Sequence, residues 1–393
     1  MNQAVGGTQK TTELGADPLL RPLMPELDTL RGIAVLGVLF LHGFSWRYGD
    51  LHFTGAARAF MLVTQAGWIG VNLFFVLSGF LITGILLDSR NRPHYYRRFY
   101  TRRALRILPA YYLLLLLLGL LHQASAAFLG LSFFYLANLT RFFGVAMGYG
   151  PLWSLAVEEH FYIFWPAIVF KLRTRSLAIF LVLLCVLVPI ARTIAFRYDH
   201  GQGLGWYTWL VADGLATGSL IAILLRTEIR RKQAIAATWL LLALAPAVAL
   251  AGAPFGILTV RRFLGAAVQY SLVNLFFAGF LMLFLVVGTS VRKQYVNNSV
   301  LRFFGYISYG VYLIHFLVFR LYDLFAETYW PALEPSAAHF SLVCVRFVIV
   351  AAASTGLAYV SRKSIEERFL RLKDRFAPER QAAVERSGIG IRE

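Results

Sequence analysis

The chain has 393 residues, of which 58% are hydrophobic and only 15% charged, with a mean hydropathy of +0.63. Soluble domains carry roughly a quarter charged residues, so a soluble globular protein is excluded. The formal net charge of +18 falls mostly between apolar runs, the pattern of basic loops on the cytoplasmic side of a membrane protein, and nucleic acid is not an expected partner.

Residues 1–24 are polar and rich in Thr and Gly, without an apolar core of signal-peptide length, and read as a disordered cytoplasmic tail. Residues 25–361 read as one all-α, polytopic transmembrane bundle of about ten spans. These lie near 28–46, 67–87, 104–121, 153–171, 177–196, 206–225, 235–252, 267–289, 304–322 and 340–360. The segment 124–143 is apolar but broken by Ser125, Ser132, Asn138, Thr140 and Arg141, so it is expected to be interfacial or re-entrant. Residues 362–393 form a short charged cytoplasmic tail, too small for an appended catalytic domain, which leaves any chemistry to the membrane part. With both termini inside, 29 of the 38 Lys and Arg fall in inside segments. An eleventh span at 124–143 would send the later basic loops outside, against the positive-inside rule. The expected location is the plasma (inner) membrane. Neither an internal repeat nor the inverted symmetry of many transporters is visible. Cys185 and Cys344 lie in apolar runs and suggest neither a disulfide framework nor a zinc site.

A charge at the bilayer centre costs about 2.5 to 3.5 kcal/mol on insertion scales, so each intramembrane ionisable group is a functional candidate. Six stand out: His42, Glu158, Arg192, Asp213, His315 and Arg346. At 1.5 Å per residue all six fall in one layer, roughly 16 to 23 Å above the cytoplasmic edge. In the first span, Arg31 and His42 are eleven residues apart, which leaves about 20° between their directions and some 16 Å of rise. One face thus carries a cation at the rim and an imidazole deep in the bilayer, with Asp28 close enough to orient Arg31. In the fourth span Ser154, Glu158 and Tyr162 recur every four residues and share a face, whereas Glu159 and His160 are expected nearer the outer rim. In the ninth, Ser308, Tyr312 and His315 form a polar stripe, and Tyr306 reads as an interfacial anchor. Asp213 with Gly214 and Gly218 suggests close helix packing, with Arg192 and Arg346 as candidate countercharges.

Between the second and third spans, Ser89 to Arg106 carries Arg90, Arg92, Arg97, Arg98, Arg102, Arg103 and Arg106, and no lysine. Arginine presents a planar fork suited to phosphate oxygens, so a phosphorylated donor on the cytoplasmic side is a candidate ligand; binding of anionic lipid is the simpler alternative. The glycines of His200–Gly205 lie in an external loop without the strand and helix of a dinucleotide site. There is no HExxH, Walker or Gly-x-Ser-x-Gly pattern, and no metal is expected.

Five stretches in order give the chain a family likeness. They are Leu27 to Ala34 leading to His42 (an Arg-x10-His arrangement), Phe74 to Ile82, Arg103 to Tyr111, Trp153-Ser154-Leu155 with Glu158 and Phe161-Tyr162, and Ile307-Ser308-Tyr309 with Tyr312 to His315. With these the chain resembles the acyltransferase 3 family of integral membrane O-acyltransferases. Many members carry an arginine two positions before the sixth-span aspartate, where this chain has Val211. The resemblance implies transfer of an acyl group, commonly acetyl, from cytoplasmic acyl-CoA as co-substrate to a hydroxyl of a sugar, glycan or glycosylated small molecule on the outer side.

On that reading Arg31, Arg102, Arg103 and Arg106 hold the CoA phosphates and His42 acts as general base on the acceptor. Glu158 orients His42 or assists proton transfer, and His315 and Tyr312 polarise the thioester carbonyl or place the acceptor. Trp68, Trp153, Trp206 and Trp209 are candidate sugar platforms, with the aromatic belt at the outer interface the simpler reading for most of them. The rival is a proton-coupled transporter or flippase of a glycan or lipid intermediate, which accounts for the intramembrane charges but not for an arginine cluster at one mouth.

Overall fold

The computed structural model describes residues 19–376 apart from 22, 200–202, 228, 290–292 and 331–339; most of the expected N-terminal tail and the end of the C-terminal one lie outside these. The described residues form helices joined by short turns, with no strand among them. Helix α1 (Pro25–Phe40) continues through a π-turn (Leu41–Ser45) into α2 (Trp46–Tyr48), and α3 (Gly55–Gln65) runs by a 3-10 turn into α4 (Ile69–Ser89). Then follow α5 (Tyr95–Leu120), α6 (Ala126–Phe133), α7 (Leu152–Lys171), α8 (Thr174–Asp199), α9 (Thr208–Leu224) and α10 (Arg231–Gly252). The last five are α11 (Phe263–Gly288), α12 (Ser299–Tyr306), α13 (Ser308–Tyr329), α14 (Phe340–Ser361) and α15 (Glu367–Phe376).

Each expected span overlaps a helix, the ninth beginning in α12 and crossing Ile307 into α13, and among the described residues eight helices are long and apolar enough to cross a membrane. The two others differ for physical reasons. Helix α7 carries Glu158, Glu159 and His160 at its middle, and α9 has only 17 residues, about 26 Å at the helical rise. Helix α9 is also the most enclosed, packed by α4, α8 and α11, so its faces meet protein more than lipid. The segment 124–143 forms α6 and a 3-10 turn (Ala137–Phe143), each too short to cross, with Phe133, Phe134, Phe142 and Phe143 exposed. This suits a segment lying at the interface.

Close backbone approaches set the helices that carry the polar groups. A Cβ on Gly79 of α4 would lie 2.0 Å from the Leu215 carbonyl of α9, and one on Gly218 of α9 would lie 1.9 Å from the Val76 carbonyl of α4. Each glycine admits the other helix, the small-residue packing expected around Asp213. At the start of α1, Leu19, Leu20 and Met24 pack into the core and Arg21 donates to Glu26 and the Gly288 carbonyl, so the last part of the expected tail is folded against the bundle. At the other end α15 packs on α5 and its Glu367 accepts from the Tyr306 hydroxyl of α12, while Arg362 and Glu366 pair at 2.9 Å within the π-turn before it. Tyr306 therefore ties down the C-terminal helix.

Candidate active site

Two helices bring a pair of histidines together. The π-turn that ends α1 inserts a residue into the helical repeat, a feature frequent at functional sites, and it presents His42 toward α13. His42 Nδ1 and His315 Nε2 are 2.8 Å apart, and His315 Nδ1 is 2.8 Å from the Val311 carbonyl one turn back. A carbonyl only accepts, so in the neutral pair His315 donates from Nδ1, keeps its lone pair on Nε2 and accepts a hydrogen bond from His42 Nδ1. That tautomer leaves the lone pair of His42 on Nε2. Trp46 and Phe316 meet the His42 ring edge to face, with centroids 5.5 and 5.2 Å away.

His42 lines a cavity of about 680 Å³ that also touches Trp46, Trp68, Trp153, Trp206 and Arg320. Behind the π-turn, Arg346 of α14 is 2% exposed and donates to the Gly43 carbonyl at 2.7 Å. The same guanidinium holds Asp323 of α13 through Nε at 2.6 Å and Nη2 at 2.7 Å.

A second, narrower cavity of about 110 Å³ lies between α1, α4, α5, α7 and α13. Arg31, Arg103 and Arg106 line it together with Ser78, Ser154, Glu158, Glu159, Tyr162 and Tyr312. Arg31 donates to Asp28 at 2.7 Å, and Arg103 lies over the ring of Tyr162, 5.2 Å from its centroid. Arg106 has no hydrogen bond or ion pair among the described residues. Glu158 accepts from Ser78 at 2.8 Å and from Tyr162 at 3.1 Å, while Tyr312 and Ser154 share a hydrogen bond. A third cavity of about 400 Å³ is lined by Arg92, Arg98, Arg102, Arg103, Arg106 and Leu370 of α15. Arg103 and Arg106 border both the second and the third cavity; Val71 and Tyr312 border both the second and the first. The three spaces thus succeed one another from an arginine-rich end to the imidazole.

The six expected ionisable groups divide into three places. His42 and His315 pair, with Arg346 one residue from His42 at the Gly43 carbonyl. Arg192 and Asp213 form a bidentate pair at 3.1 and 3.0 Å, 0% and 2% exposed, completed by Ser271 and two carbonyls. Arg192 from α8 thus supplies the guanidinium that Val211 does not, and the pair closes on itself away from the three cavities. Arg346 is no countercharge to Asp213, because Asp323 takes it.

Glu158 lines the middle cavity and bonds Ser78 and Tyr162, whereas the ring partner of His42 is His315. His315 has its Nδ1 held by its own helix and its Nε2 by His42. Tyr312 lines both the upper and the middle cavity. Glu159 lines the cavity of Glu158 instead of the outer rim, and His160 bonds Thr208 at 2.7 Å. Arg102 borders the third cavity only, and Trp209 stacks on Tyr207 outside the histidine cavity. Sequence reasoning passed over Ser78, the serine within Phe74 to Ile82, and over Arg320 and Asp323, which share the face of α13 that carries Phe316 but read as outer-loop charges.

The fold and site together define a multi-pass helical membrane protein whose polar groups line adjoining cavities inside the bundle. The acyltransferase domain family, acyltransferase 3, matches residues 24–360, and the chain belongs to it. Among curated proteins it is similar to the peptidoglycan O-acetyltransferase OatA of Listeria monocytogenes, 36% identical over 37% of this chain and 24% of that protein. It is likewise similar to the putative peptidoglycan O-acetyltransferase YrhL of Bacillus subtilis, 36% identical over 43% of this chain and 28% of that protein. A putative O-acetyltransferase of Staphylococcus aureus is 32% identical over 49% of this chain and 29% of its own length. The matches thus span about a quarter of the length of these relatives. No solved structure matches the chain.

Proposed function

We propose that this protein moves an acyl group, acetyl by analogy with its relatives, from cytoplasmic acyl-CoA to a sugar hydroxyl on the outer side of the plasma membrane, with both termini inside. The observation that supports it most is the succession of cavities, in which the arginine-lined end and the His42 imidazole share bordering residues through Arg103, Arg106, Val71 and Tyr312. A donor with phosphates at one end and a thioester at the other suits such a passage. The relatives' names support acetyl as the group and a glycan as the acceptor.

Arg31, Arg103 and Arg106, with Arg102 below them, hold the phosphates, and the unpaired Arg106 is free to do so. The acceptor hydroxyl gives its proton to His42 Nε2 while its oxygen attacks the thioester carbonyl. The carbon–oxygen bond forms, the carbon–sulfur bond breaks, and the imidazolium returns the proton to the departing sulfur. His315 holds the tautomer this requires and shares the transient positive charge through the hydrogen bond between the rings; such base catalysis is worth about 10² to 10⁴ in rate. Glu158, fixed by Ser78 and Tyr162, balances the arginines of the middle cavity. The test is purified protein in nanodiscs with radiolabelled acetyl-CoA and a glycan acceptor. Label on the glycan is expected; substrate movement with no acetyl-CoA consumed would favour a transporter.

A further inference from the structure

The charges at the outer end of the histidine cavity do not balance. Arg47 donates to Asp323 at 3.3 Å and to Glu327, and Arg346 is held by Asp323 and the Gly43 carbonyl. Among the described residues the third cation, Arg320, has only the Gly148 carbonyl, at 2.8 Å, and no carboxylate. Three arginines face two carboxylates, and the unmatched charge is on Arg320.

An unmatched guanidinium in a partly buried site is costly to keep. The Gly148 carbonyl takes one of its five donors, and Arg320 lines the cavity that holds His42. Helix α13 places Phe316 and Arg320 four residues apart on one face, so the ring that meets His42 and the cation lie one turn apart. The same cavity offers four tryptophans, flat apolar surfaces of the kind that cover sugar rings.

We infer that Arg320 forms a subsite for an oxyanion on the acceptor, so that the preferred acceptor is an acidic sugar bearing a carboxylate or a phosphate. Its guanidinium pairs with that group and fixes which hydroxyl reaches His42 Nε2. The inference rests on the acyl-transfer reading above and deepens it, by giving the acceptor a charge.

The test is equilibrium binding to the full chain in nanodiscs, which needs no turnover. Two matched pairs serve as probes: a glucuronate-containing disaccharide against its methyl ester, and a disaccharide phosphate against the unphosphorylated disaccharide. In wild type the charged member of at least one pair binds about tenfold or more tightly than its neutral partner, and the preference shrinks as salt rises. The pair that shows it tells carboxylate from phosphate. In Arg320→Gln that ratio falls to about one, and in Arg320→Lys a part of it survives. Equal binding within both pairs in wild type, or an unchanged ratio in Arg320→Gln, overturns the inference. A mere tether of the Gly148 loop would weaken both members of a pair alike and leave the ratio intact, which also overturns it. Failure of acetyl transfer to every acceptor would instead count against the proposed function, with the binding ratio still readable.

Discussion

The Arg346 guanidinium donates to the Gly43 carbonyl at 2.7 Å, inside the π-turn that carries His42. Arg346 comes from α14 and is gripped in turn by Asp323 of α13, so two helices pin the turn of a third. Gly43 itself leaves no room for a side chain: a Cβ there would lie 2.4 Å from the Phe347 ring.

This arrangement makes Arg346 a positioning residue whose loss acts on His42. Arg346→Lys should lower kcat about 10- to 100-fold, since misplacing a catalytic group by about an ångström costs that much. The KM for acetyl-CoA should stay within about twofold. Arg346→Met alone should also destabilise the protein by about 1 to 3 kcal/mol, because the Gly43 carbonyl loses its donor and Asp323 keeps only the more exposed Arg47. Thermal unfolding beside steady-state kinetics separates the two effects.

His315 should be needed for the rate and not for the donor. His315→Leu removes the acceptor of the His42 Nδ1 hydrogen and should lower kcat by about 10² or more. His315→Gln, whose amide oxygen can accept the same hydrogen bond, should retain more activity than His315→Leu. Acetyl-CoA binding by either variant should match wild type. Equal activity of all three proteins would remove the histidine pair from the mechanism.

Arg106→Ala should raise the KM for acetyl-CoA about tenfold or more with a smaller effect on kcat, because a free guanidinium aimed at a cavity acts on binding. The loss should be less for a donor lacking the nucleotide phosphates, such as an acetylated pantetheine. A variant whose defect is the same for both donors would place Arg106 elsewhere in the cycle.

The Arg192–Asp213 pair should behave as structure. Asp213→Asn leaves the guanidinium uncompensated and should cost about 3 to 5 kcal/mol of stability, while the folded fraction keeps a near-normal KM for donor and acceptor. Measuring the folded fraction by size-exclusion profile in detergent, then activity per folded molecule, checks this.

The long apolar segments made the helices legible, because length and hydropathy decide what can cross hydrocarbon. The first span was legible as a helix as far as the π-turn at Leu41, which contains His42. The π-turn itself was not, as nothing in Leu41-His42-Gly43-Phe44-Ser45 announces an extra residue in the repeat. The neighbours of Glu158 were not legible for a related reason: lateral position depends on which helices pack against one another. His42 met His315 of α13, while Glu158 faced Ser78 of α4. Glu159 shows the limit of face arithmetic on one helix, since a cavity enclosed by five helices takes residues 100° apart.

The central claim is that His42 performs the chemistry on an acyl group delivered from the arginine end. It is tested most directly by comparing wild type with His42→Ala in nanodiscs, measuring acetyl transfer to a glycan and acetyl-CoA binding on the same samples. Transfer should vanish in His42→Ala while acetyl-CoA affinity stays within about twofold of wild type. Transfer at the wild-type rate in a folded His42→Ala protein would contradict the account.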